Sequence, residues 1–297
     1  MLAFANEMLH YILRLRDSRK RVLTTEERHF MEKVYPAVCK LVTYMGGYLH
    51  QDQSAADGTS ELKAGLGHIV NAFCGITLKP SSAKGEKYDY ESYPVLDLTD
   101  DESYLIYSLF DGLNYLFGLA DFKAIETIVN ADLFHGLASL CHLDTKERLI
   151  FERAETSNEF YHLQSGSNRK HYKEFAYAFI GDVIKHPEAS LKFLLFCSKM
   201  YTEHMHRADG NRERAAAALF ILALCEKESL EVHKAHVAGF CKAELLPLIF
   251  DPSADKLVRF RAVWIVETYA TFLDKEDIGK LMLYYGRILT EPGNPES

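Results

Sequence analysis

The chain has 297 residues, 48% of them hydrophobic, with 17 glycines, 8 prolines and a formal net charge of −8. The hydrophobic fraction supports a sizeable core, while so few turn residues argue against a sandwich or barrel rich in tight turns. The acidic balance argues against nucleic acid as the main partner, because phosphate binding needs a basic face; it suits basic protein partners. Six cysteines, Cys39, Cys74, Cys141, Cys197, Cys225 and Cys241, include no Cys-x-x-Cys pair. They read as small buried hydrophobes in a reducing compartment rather than as a disulfide framework. The N-terminus does not read as a convincing signal peptide, since Glu7, His10, Arg14 and Arg16 interrupt its apolar residues. The longest apolar run, Ala215 to Cys225, is too short to span a bilayer. A soluble protein of cytoplasm or nucleus is the expectation, with no membrane contact.

In chain order, residues 2–18 form an amphipathic pattern that starts without a cap, as in a chain cut from something longer. Thr24-Thr25-Glu26-Glu27 is a capping box, and the helix behind it carries Met31, Val34, Val38, Leu41, Val42 and Met45 at helical spacing. Ser60 caps another helix with Leu62, Leu66, Ile69, Val70 and Phe73. Residues 79–98 are irregular, with Pro80, Gly85 and Pro94. They separate N-terminal helical pairs (1–78) from a longer array (99–290) and a tail (291–297). Thr99-Asp100-Asp101-Glu102 is a second capping box, and Asp97, Asp100, Asp101 and Glu102 make an acidic cluster. Capping is its first role; an acidic contact loop for a basic partner is the functional alternative.

From there helices are predicted to about Gly118, over Asp121 to His142, and over Thr145 to about His162. Further helices follow at 168–185, from Pro187 to about His206, and at 211–227, 229–250, 253–273 and 274–290. No strand alternation or hairpin signal appears. The expected fold is all-α. A repeat is visible, since Arg212-Glu213-Arg214-Ala215-Ala216-Ala217 and Arg259-Phe260-Arg261-Ala262-Val263-Trp264 place Arg214 and Arg261 47 residues apart. That period fits an α-solenoid of HEAT or armadillo-like helical pairs. Pro247, Asp251, Arg259, Arg261 and Trp264 form the repeat signature: an apolar helix with proline, a turn aspartate, arginines, then an apolar helix. Asp251 with Arg259 is the expected ladder pair, and Trp264 is expected in the core.

Chemistry-bearing patterns are few. His204 and His206 stand two apart and diverge on a helix; His233 and His236 share a face without an intervening Glu. A metal-dependent enzyme built on these four is the weakest reading, and helix-end histidines are the better account. Gly65-Leu66-Gly67-His68 lies in an apolar-periodic helix and follows no strand, so it is no nucleotide loop. No G-x-S-x-G elbow occurs. No catalytic residue, cofactor or metal is assigned.

The run Val258-Arg259-Phe260-Arg261-Ala262-Val263-Trp264-Ile265-Val266-Glu267-Thr268-Tyr269 resembles the "R-A-R-A-C-W-V-L-x-x-F" helix of importin-β-type nuclear transport receptors, nearest their importin seven and importin eight branch. Arg212 to Glu226 and Glu244 to Asp251 are similar to that family's preceding helices, and Phe110 to Leu116 with Leu133 to Cys141 to an upstream pair. Glu147 to Tyr161 falls at its acidic "D-P-E-E-Y" segment, with Ser157-Asn158 in place of Asp-Pro. The resemblance covers roughly 104–291, a middle portion of such a receptor. It implies a non-enzymatic solenoid that binds basic cargo, a Ran-type GTPase and Phe-Gly nucleoporins, in cytoplasm and nucleus and at the nuclear envelope. A HEAT or armadillo scaffold without a transport role is the alternative.

Overall fold

A computed structural model describes residues 24–29, 67, 70–71, 73–74, 77–82, 85, 88–90, 106–107, 110, 129–153, 172–225 and 227–290. The helix expected over 2–18, the second capping box and the acidic residues Asp97, Asp100, Asp101 and Glu102 lie outside the described residues. What is described is mostly helical, so the all-α expectation holds at that level. The Thr24 box forms as read: the Glu27 amide donates to Thr24 Oγ1 at 3.2 Å, and the Thr24 amide donates to Glu27 Oε2 at 2.8 Å. It opens α1 (Thr25–His29).

The chain divides into two compact units, residues 1–140 with 170–189, and residues 141–169 with 190–297. In the first, β1 (Lys79–Pro80) pairs antiparallel with β2 (Tyr88–Asp89). This corrects the expectation of no strand. Two residues per strand are too few to show alternation, and the pairing is anchored by Tyr88, which is buried. Pro80 is tolerated because so short a ladder has positions that need no N–H. Helices α2 (Ala131–Leu140) and α4 (Tyr172–Ile184) pack together in this unit. Phe73, Phe110 and Phe179 form its aromatic centre, with centroids 4.9 and 5.4 Å apart. Gly136 lets α2 close on the helical residues below it, since a Cβ there would sit 2.8 Å from the Phe73 ring. Ser139 Oγ then reaches the Thr77 carbonyl at 2.8 Å.

In the second unit, α3 (Thr145–Arg153) is capped reciprocally by Asp144 and Glu147. Helix α5 (Pro187–His206) begins at its proline as expected, because a first-turn residue needs no amide donor. Helix α6 (Arg212–Ala223) is capped by Asn211, whose Oδ1 accepts from the amides of Glu213 (2.9 Å) and Arg214 (3.3 Å). Gly210 makes the turn before it, where a Cβ would fall 2.1 Å from the His204 carbonyl oxygen.

The span expected as one helix over 229–250 is broken into pieces: α7 (Lys227–Leu230), a 3₁₀ turn (Glu231–His233), α8 (Lys234–Phe240), a π turn (Cys241–Leu245) and α9 (Leu246–Phe250). Pro247 explains the π turn. It has no N–H to donate four residues back, and its ring crowds that carbonyl. The Leu246 amide reaches instead five residues back, to Cys241. Helix α10 (Lys256–Thr268) starts three residues later than expected, because Asp255 supplies the cap by accepting from the Val258 amide at 3.0 Å. A 3₁₀ turn (Ala270–Phe272) leads to α11 (Lys275–Thr290). The most extensive interhelical packing among these elements is α6 against α10. On α6, the small residues Ala215 to Ala218 and the larger Leu219 to Leu222 are all buried, so the helix is covered on every side. Each fully buried large apolar side chain contributes roughly 1.5–3 kcal/mol.

Candidate functional site

The α6–α10 layer of the second unit brings together two of the five signature residues, Arg261 and Trp264. Arg214 and Arg261, the two repeat-related arginines, are both 2% exposed. The Arg261 guanidinium carbon lies 3.9 Å from the centroid of Phe220 and 5.9 Å from that of Trp264. Phe220 and Trp264 are themselves 5.4 Å apart. A planar cation stacked on aromatic faces in a desolvated setting is strongly attracted to the ring quadrupole. Trp264 is half-buried rather than in the deep core, because it occupies the margin of this stack.

The expected Asp251–Arg259 pair does not form as a ladder contact. Asp251 is exposed, and its Oδ1 accepts from the amide (2.9 Å) and hydroxyl (2.6 Å) of Ser253. These bonds hold the Asp251 carboxyl below its ordinary range, and Arg259 adds only a lesser long-range effect. A turn aspartate two residues before a serine satisfies itself locally first. Pro247 acts on the backbone, as described above. Thus the structure brings Arg261 and Trp264 together and leaves Pro247, Asp251 and Arg259 in separate roles.

Polar bridges border this layer. Arg212 Nη1 donates to the carbonyls of His204 and Met205, each at 2.7 Å, and so satisfies the open C-terminus of α5. His206 Nε2 is 2.9 Å from Glu244 Oε2. Lys242 Nζ lies 3.1 Å from Asp274 and 3.2 Å from Asp277, tying the π turn to α11. His204 is buried, with Nε2 3.4 Å from Arg214 Nη1 and Nδ1 accepting from the Asn211 amide at 3.5 Å. His233 sits half-buried in the 3₁₀ turn, and His236 is exposed. His204 and His206 therefore engage different partners. Among the described residues no three His, Cys, Asp or Glu side chains are grouped to hold a metal ion.

Helix α3 contacts this layer through its side chains. Arg148 pairs with Glu213, and His142 Nδ1 stands 3.6 Å from the same carboxylate. Phe151 meets Phe260 edge-on at 5.9 Å. Lys256 Nζ sits 5.0 Å from the Phe151 centroid and 5.4 Å from that of Phe260. Residues that sequence reading did not single out, Phe220, Glu213, Lys256 and Tyr269, complete the layer. Only Tyr269 carried a usable signal: it stands one 47-residue period after Leu222.

Burial raises the thiols of Cys197 and Cys225 well above their ordinary value and pushes Cys241 up to about 12. They are protonated packing groups. The described cysteines, Cys74, Cys141, Cys197, Cys225 and Cys241, are all buried free thiols. Among the described residues no helix is long and apolar enough to cross a membrane.

The chain matches no model of a known protein family and no curated protein.

Proposed function

We propose that this chain is a protein-binding α-solenoid of HEAT-like helix pairs, a segment of a nuclear transport receptor of the importin-β type. The observation that carries the solenoid reading is the correspondence of α6 and α10. Two helices whose buried arginines lie one 47-residue period apart pack on each other. Tyr269, the residue after α10, donates its hydroxyl to the carbonyl of Leu222 in the last turn of α6, across the same interval. Stacked units that bury a shared face in this way present extended surfaces suited to protein partners. The transport reading adds the resemblance of the Val258–Tyr269 run and of the helices before it. Its partners are basic cargo, a Ran-type GTPase and Phe-Gly repeat segments, with residence in cytoplasm and nucleus and at the nuclear rim. The net charge of −8 suits basic cargo.

Pull-down with GTP-loaded Ran and with Phe-Gly repeat peptides tests the transport step, and capture of either is expected. Capture of neither, together with no enrichment at the nuclear rim by microscopy, leaves the broader reading of a helical-repeat scaffold. That reading needs only the α6–α10 repeat geometry.

A further inference from the structure

Residues 141–169 belong to the second unit, although the chain on both sides, 131–140 and 170–189, belongs to the first. The described part of this excursion is dominated by α3, and α3 is held in an unusual way. Within it the buried residue is Glu147, whose carboxylate serves the helix's own cap, while Leu149 is 49% exposed. The apolar anchor of the excursion lies just before the helix, at the buried Cys141 and Leu143, and within α3 itself apolar burial is slight. Two side chains three residues apart, on one face of the helix, contact α6 and α10. Arg148 pairs with Glu213 in the first turn of α6. Phe151 packs edge-on against Phe260 of α10, with Lys256 over its ring and 3.4 Å from its carbonyl oxygen. A partly exposed ion pair and one aromatic contact are modest fastenings. They hold because the chain keeps α3 at high local concentration.

We propose that α3 is an intramolecular occupant of a recognition site formed by Glu213, Lys256 and Phe260, and that a helical segment of another protein presenting an arginine and a phenylalanine three residues apart displaces it. Glu213 reads the guanidinium, and the Phe260 edge with the Lys256 cation reads the aromatic ring. The site is closed while α3 is seated and open when a competing segment takes its place. This inference stands on α3 and the α6–α10 face alone, so the fate of the transport reading does not decide it.

The test uses the full chain and a fluorescently labelled peptide of residues 142–153, read by anisotropy. Wild type is expected to bind weakly, since its own α3 occupies the site. Arg148→Glu repels Glu213 and frees the site, so the peptide is expected to bind at least about tenfold tighter, ~1.4 kcal/mol. Phe151→Ala frees it by a second route and gives the same direction. The charge swap R148E/E213R restores the attraction in cis and repels the peptide's arginine, returning binding to the wild-type level or below. Adding Phe260→Ala to Arg148→Glu removes the ring contact and with it the gained affinity. The proposal is overturned if neither R148E nor F151A binds the peptide more tightly than wild type, or if the gain survives R148E/F260A.

Discussion

Tyr269 donates its hydroxyl hydrogen to the carbonyl of Leu222 at 2.9 Å, across 47 residues of chain, and shares it with the carbonyl of Cys225 at 2.7 Å. These carbonyls flank the C-terminus of α6, where the Leu222 carbonyl also accepts the Cys225 amide at 3.2 Å and the last carbonyls of a helix need donors from outside it. The residue after α10 thus closes the end of the preceding repeat-related helix, and it does so fully buried. Tyr269→Phe keeps the ring and removes the donor. A loss of about 1–3 kcal/mol is expected, the cost of taking the hydroxyl donor from the buried Cys225 carbonyl, while the Leu222 carbonyl keeps the Cys225 amide at 3.2 Å. Urea titration followed through Trp264, the only tryptophan, should show a lower midpoint with unchanged slope. An unchanged midpoint contradicts the assigned role.

Arg261 tests whether the stack with Phe220 or simple bulk holds the α6–α10 layer. Arg261→Met keeps most of the aliphatic volume, and Arg261→Ala keeps almost none. Alanine is expected to cost on the order of 3 kcal/mol, within the range for emptying a buried large side chain. Methionine is expected to cost less, and the remainder to report the cation–aromatic term of ~2 kcal/mol in a desolvated site. Lysine should fall short of arginine because it lacks the planar face. Equal losses for methionine and alanine would mean that volume plays no part.

Thiol labelling reads the second unit's core. In folded protein at pH 8, Cys197, Cys225 and Cys241 should resist alkylation. Burial raises all three pKa values, so little thiolate is present to react. Denaturant should make all of them reactive. Peptide mapping of the modified sites distinguishes these three from Cys39, which lies outside the described residues. Rapid labelling of Cys225 in native protein contradicts the packing described.

Asp274 gives the acid limit of α11. It accepts the Asp277 amide at 2.9 Å, and that bond, followed by Lys242, lowers its pKa below the ordinary 3.8. A carboxyl whose folded pKa is depressed contributes stability above the unfolded value. That contribution is lost as pH falls through the folded value. An NMR titration of the Asp274 carboxyl carbon should therefore show a midpoint below 3.8. Lys242→Met should move it upward without restoring the ordinary value, because the Asp277 amide remains. A midpoint unmoved by Lys242→Met would remove Lys242 from the site.

Where interactions are local, the sequence was sufficient. Thr24 and Glu27 are three residues apart and find each other without help from the rest of the chain. Pro187 opens α5 because a proline is favoured in the first turn, and the helical spacing of apolar residues marks most helices. The 47-residue offset between Arg214 and Arg261 is likewise written in the chain. What it could not determine was which partners distant groups choose. Asp251 turned to its own Ser253 rather than to Arg259, since a local acceptor is engaged at little entropic cost. Arg261 found Phe220, a residue with no distinguishing pattern in an apolar run. Pro247 widened one turn of helix instead of ending it, because the flanking apolar residues bury on both sides. The two-residue strands at Lys79 and Tyr88, and the placement of α3 on Glu213 and Phe260, depend on long-range pairing. Such pairing is set by packing and desolvation across the folded unit, and periodicity along the chain carries no record of it.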